Sequence, residues 1–72
     1  MTTDATLADL TPREREVMEA LADGDSFREA GQRLGISQHT VSAHVQHVKR
    51  KTGIDGDVRR LLVWYVGARP AS

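Results

Sequence analysis

The sequence predicts an all-α domain of four short helices, over about residues 12–23, 27–34, 38–52 and 56–66. Three observations carry that prediction: apolar residues recur at spacings of three and four, polar N-capping residues stand at each helix start, and glycine stands at each stop. Thr11-Pro12-Arg13-Glu14 is a capping box with proline at the first helical position, where a missing N–H costs nothing. The helix it opens buries Val17, Met18 and Leu21 and ends at Gly24. Ser26-Phe27-Arg28-Glu29 is a second capping box, and Ala30, Gly31 and Leu34 give its short helix a narrow packing face that ends at Gly35. Ser37 opens the third helix, with Val41, Val45 and Val48 inward and Gly53 at the left-handed C-terminal cap. A fourth helix starts at Asp55 or Asp57, turns Val58, Leu61, Leu62 and Tyr65 to the core, and is expected to stop before Gly67 and Pro70. The domain is expected over residues 10–67, with residues 1–9 and 68–72 as tails.

Length and composition restrict the rest. Seventy-two residues make one domain, and a chain of that size buries only about 60% of the surface its unfolded form exposes. There is no cysteine for a disulfide or a thiolate metal site. The longest apolar run, Leu61 to Val66, is six residues, far below the roughly 20 needed to span a bilayer. Met1 to Leu10 carries two aspartates and no basic residue, unlike a secretory signal. The expectation is a cytoplasmic domain with no membrane partner.

The net charge is zero, but it is unevenly spread. Residues 1–35 hold four arginines against eight acids, whereas residues 36–72 hold six basic residues against Asp55 and Asp57. Gln38 to Thr52 contains Lys49, Arg50, Lys51 and three histidines, with no acid. A polyanion responds to the field of one face more than to a whole-chain sum, although Lys49 to Lys51 would equally complement the dipole at a helix C-terminus. Leu34-Gly35-Ile36-Ser37 joins the second and third helices by a tight turn: glycine to reverse direction, an apolar plug, then a cap. This is the helix-turn-helix arrangement, without a wing, although a generic three-helix bundle can use the same connection.

With Val41, Val45 and Val48 inward, a rotation of about 100° per residue turns His39, Ser42, Ala43, Gln46, His47, Lys49 and Arg50 outward. Short hydrogen-bonding residues lie near the start of this helix and cations near its end. A helix in the major groove needs that order, since short side chains approach base edges while long cations reach phosphates. Gln46 can pair with adenine, Ser42 or His39 can bond several base edges, and Ala43 can pack on a thymine methyl. An ordinary solvated face would include glutamates for i,i+4 pairs, and this helix has none.

Leu10-Thr11-Pro12-Arg13-Glu14-Arg15-Glu16-Val17, Gly24-Asp25-Ser26, Leu34-Gly35-Ile36-Ser37, Thr40-Val41-Ser42-Ala43-His44-Val45 and Lys51-Thr52-Gly53 together resemble the LuxR/GerE-type helix-turn-helix. The resemblance covers residues 10 to about 66 and implies a transcription-factor domain that binds duplex DNA as a dimer. It implies base reading by Ser42, Ala43 and Gln46, and phosphate contacts from Arg28, Thr40, Lys49 and Lys51. Arg50 joins the phosphate set from its place on the cationic end. Three departures stand out. Serine occupies position 42, where a basic residue is usual; Ala30-Gly31 replaces an isoleucine-alanine pair; and Thr52 replaces a leucine. The last two are expected to thin the core behind the third helix. The chain also looks like the fourth region of bacterial sigma factors, which implies docking on RNA polymerase with DNA contact secondary.

On the fourth helix, Val63, Trp64, Val66 and Gly67 lie off the core stripe, so this face is expected to form a homodimer interface. The alternative is that Trp64 folds over the N-terminal segment, onto Leu7. His44 and His47 are three apart, but no cysteine or carboxylate shares their helix, and zinc needs three or four protein ligands. No metal or cofactor is therefore expected. No nucleophile has a placed base, so no enzyme activity is expected.

Overall fold

The computed structural model describes residues 6–69, and the four helices form as the sequence predicts. They are α1 (Pro12–Ala22), α2 (Phe27–Leu34), α3 (Gln38–Thr52) and α4 (Val58–Ala68). Each begins on a side chain that accepts a backbone N–H left unpaired by the helix: Thr11 from Glu14, Ser26 from Glu29, Ser37 from Thr40 and Asp57 from Arg59. In α1 and α2 the glutamate at the third helical position reaches back to the cap N–H, completing both boxes. Gly35 and Gly53, each at φ 71°, close α2 and α3 in the left-handed conformation.

α1 packs against each of the other three helices, and α2 packs on α3. The core between them is Leu10, Val17, Met18, Ala20, Leu21, Ala30, Val41, Val45, Val48, Leu61 and Tyr65. Leu61 and Tyr65 are fully inside, while Val58 and Leu62 are half-buried at its edge. A small core is supplemented by polar ties. Tyr65 Oη and Arg69 Nη1 both donate to the Glu19 carboxylate, fastening α4 to α1. Arg13 Nη2 donates to the Leu34 carbonyl at 3.1 Å, fastening the start of α1 to the end of α2.

Three expectations about segment ends and exposure change. Residues 6–9 are not a loose tail: Leu7–Asp9 forms a 3-10 turn capped by Thr6, and Arg15 Nε donates to the Leu7 carbonyl at 3.0 Å. The rest of the expected tails, residues 1–5 and 70–72 including Pro70, lies outside the described residues. Gly67 does not end α4, which continues to Ala68, because nothing about a solvent-side glycine forbids a further half-turn. Trp64 is half-buried against the core rather than exposed. It stands well over 90° around α4 from the stripe holding Val63 and Val66, so the three cannot share one face.

The thinned core also resolves differently. A Cβ on Gly31 would come within 2.7 Å of the Ile36 carbonyl oxygen, so glycine here marks a close approach of α2 to the turn, not a void. Thr52 is buried, but its hydroxyl donates to the Val48 carbonyl at 2.9 Å and accepts from Ile54 N–H at 3.3 Å. The loss of a leucine's methyl groups is partly offset because the polar replacement is hydrogen-bonded.

Candidate nucleic-acid interface

The outer surface of α3 is built by what its inner surface must bury. Val41, Val45, Val48 and Thr52 take the core side, which leaves His39, Ala43, Gln46 and Arg50 on one narrow stripe at spacings of four, three and four. All four are exposed. Ser42 and Lys49 flank the stripe on one side, half-buried, and Thr40 and His47 flank it on the other, exposed. The stripe thus orders imidazole, methyl, carboxamide and guanidinium along the helix. No acidic residue lies on α3.

The expected contact residues are brought together unequally. Ser42, Ala43, Gln46 and His39 share the N-terminal and middle part of one surface. Arg28 is exposed in the first turn of α2, the helix that packs on α3. Among the described residues neither Arg28 nor Arg50 enters an ion pair. The Thr40 hydroxyl is 2.9 Å from Ser37 Oγ, inside the cap of α3. Lys49 Nζ donates to the Gly56 carbonyl at 2.7 Å across the α3–α4 connection.

Lys51 is placed otherwise. Its ammonium donates to Glu14 Oε1 at 2.6 Å and to the Asp9 carbonyl at 3.1 Å, on the side of α3 that faces α1. Glu14 is almost wholly buried. Burial opposes its charge, but the Lys51 ammonium and the Thr11 N–H more than compensate and hold its carboxyl below the usual range. Sequence reasoning misses this ion pair, although a signal for it exists. Glu14, Val17, Met18 and Leu21 fall on one helical stripe, so a carboxylate is due to enter the core and to need a cation. The same helical rotation that places Arg50 outward places Lys51 about 100° away from it.

The apolar part of α4 that remains open is a groove lined by Leu62, Val63, Val66 and Gly67, with Arg59 at its edge and Ala22 of α1 opposite. Val63 is 70% exposed and Val66 is 47% exposed. A Cβ built on Gly67 meets nothing, so the backbone of α4 is open to close approach there. Among the described residues no helix is long and apolar enough to cross a membrane.

Residues 8–63 match the family of bacterial regulatory proteins of the luxR type, carrying the GerE domain. The chain is 43% identical over 49 residues to the transcriptional regulatory protein UhpA of Escherichia coli K12, covering 68% of this chain and 25% of that protein. It is 35% identical over 63 residues to the nitrate/nitrite response regulator protein NarL of the same organism, covering 88% of this chain and 29% of NarL. A probable HTH-type transcriptional regulator, GfsR of Streptomyces halstedii, is 36% identical over 55 residues, 76% of this chain and 23% of that protein. The chain therefore spans about a quarter of the length of these relatives. No solved structure gives a significant match. The capped helices, the tight Leu34–Ser37 turn and the acid-free third helix thus have one common source: the chain belongs to the luxR family of bacterial regulatory proteins, as a helix-turn-helix domain of the DNA-binding, transcription-regulating kind.

Proposed function

We propose that this domain binds duplex DNA sequence-specifically, with α3 in the major groove, and that it acts as a homodimeric transcriptional regulator. The observation that carries the reading is the outer face of α3: exposed His39, Ala43, Gln46 and Arg50 in line, with Ser42 beside them and no acid on the helix. In this reading Ser42, Ala43, Gln46 and His39 meet base edges, while Arg28, Lys49, Arg50 and Thr40 meet the backbone. Lys51 serves instead to hold α3 on α1 through Glu14. Serine at position 42 supplies a hydrogen bond without a charge, so Arg50 and Arg28 carry more of the electrostatic attraction.

The second copy docks through the α4 groove in this proposal. Val63, Val66 and Gly67 offer an open apolar strip on which a two-fold axis can be set. Trp64 supports that helix from the core side. The domain alone presents one recognition helix, and pairing supplies a second for the other half-site. The test is a band shift on duplexes selected from a random pool, repeated across salt concentrations. Binding that falls steeply with salt and loses sequence preference in Gln46→Ala supports the reading. Co-purification with RNA polymerase and no shift on any duplex would instead favour a docking module on the transcription machinery.

A further inference from the structure

We propose that Glu14, His44 and His47 form a site for a first-row divalent metal ion of the zinc or cobalt class, bridging α1 and α3. The sequence alone argues against a metal because no carboxylate shares the helix of the two histidines. Folding supplies one from α1. A ligand atom from each of the three side chains lies within 4.8 Å of the others. In a tetrahedral site with metal–ligand bonds of about 2.0–2.1 Å the ligand atoms stand roughly 3.4 Å apart. A small contraction is thus required, and His47, with 53% of its side chain exposed, is free to rotate into it.

The pattern of existing hydrogen bonds leaves the needed lone pairs open. Glu14 Oε1 already accepts from the Thr11 N–H and the Lys51 ammonium. Glu14 Oε2 faces His47 Nδ1 at 3.9 Å, too far for a hydrogen bond, so this oxygen is the one turned to His47. His44 Nδ1 is buried with no hydrogen-bond partner. The His44 and His47 rings stand edge to face with centroids 6.4 Å apart. Two imidazoles and one carboxylate suit a borderline metal, and water completes the fourth position. Lys51 and Thr11 would act as outer partners that fix the ligating carboxylate, though the ammonium's charge weakens the affinity.

The site is tested by titrating the 72-residue chain with Co²⁺ and reading its visible d–d absorption. The proposal expects saturation at one equivalent, competition by Zn²⁺, and a rise in melting temperature. His47→Ala, an exposed position, should lower the affinity by about tenfold or more. His39→Ala, about 12 Å further towards the start of α3, should leave it unchanged and serves as the control. No saturable absorption, or equal losses in His39→Ala and His47→Ala, would overturn the proposal. Circular dichroism of both variants establishes that each remains folded.

Discussion

Neighbouring lysine and arginine residues near the end of α3 do different work, and their positions around the helix decide which. Arg50 continues the exposed stripe of His39, Ala43 and Gln46, whereas Lys51 turns to α1 and pairs with a buried carboxylate. Lys51→Ala leaves Glu14 buried without its cation. It should destabilise the domain by roughly 1–3 kcal/mol, a figure reduced from that of a fully buried pair because the lysine is partly solvated. Chemical denaturation measures this directly. Arg50→Ala should leave stability within about 0.5 kcal/mol while reducing the salt dependence of DNA affinity by about one phosphate contact. Gln46→Ala should cost about 1–3 kcal/mol at a single base position and relax specificity there, read by binding to single-position variants of a selected site. Equal, sequence-independent losses from Gln46→Ala and Arg50→Ala would contradict the separate roles. The outer stripe is legible from periodicity alone. Family resemblance assigns Lys51 to phosphate, although the same periodicity leaves it off that stripe. Glu14 reads only as a cap in the sequence, because a capping box explains a glutamate without asking which way its helical position points.

At the scale of elements, helix starts and the stops of α2 and α3 are legible because a capping hydrogen bond or a left-handed glycine fixes them, whereas α4 runs past Gly67 to Ala68. The ends of α3 at Ser37 and Gly53 are examples. What escapes is set by contacts between elements. The Leu7–Asp9 turn depends on Arg15 from α1, and the inward placement of Trp64 depends on how α4 lies against the core. Gly31 belongs to the same class: its meaning is distance to the Ile36 carbonyl, which no spacing in the sequence reports. Gly31→Ala should therefore destabilise by about 1–3 kcal/mol, since the added methyl meets backbone that cannot swing aside. If thermal denaturation instead shows a gain, as expected from helix propensity alone, the close approach is not maintained in solution. On α4, Val63→Glu should block pairing while preserving the monomer, because Val63 is largely exposed. Sedimentation of wild type and variant, with and without DNA, checks this; two identical profiles would refute pairing through this helix.

The whole molecule is a small core tied by a few polar links to α1, and its stability should depend on pH at both ends of the scale. Glu14 has a lowered folded pKa, so its contribution is complete above the ordinary value of 4.5 and is lost as pH falls through the lowered one. Burial, then the hydrogen bond to Glu19, pushes Tyr65 up to about 12 from 10.0. Its protonated form is favoured by folding, so that contribution is complete below about pH 10 and is lost as pH rises towards 12. Melting curves across pH should flatten at the acid end in Glu14→Gln and at the alkaline end in Tyr65→Phe. The charge pattern also acts at this scale. The first 35 residues carry a surplus of acid and the remainder a surplus of base, so a chain of zero net charge still has a locally cationic, acid-free α3. The most direct test of whether α3 reads DNA is selection of bound sites from a random duplex pool by the intact chain. Recognition by paired α3 helices should enrich a two-fold symmetric motif, with half-sites one or more helical turns apart. Recovery of a pool with no enriched motif would contradict it.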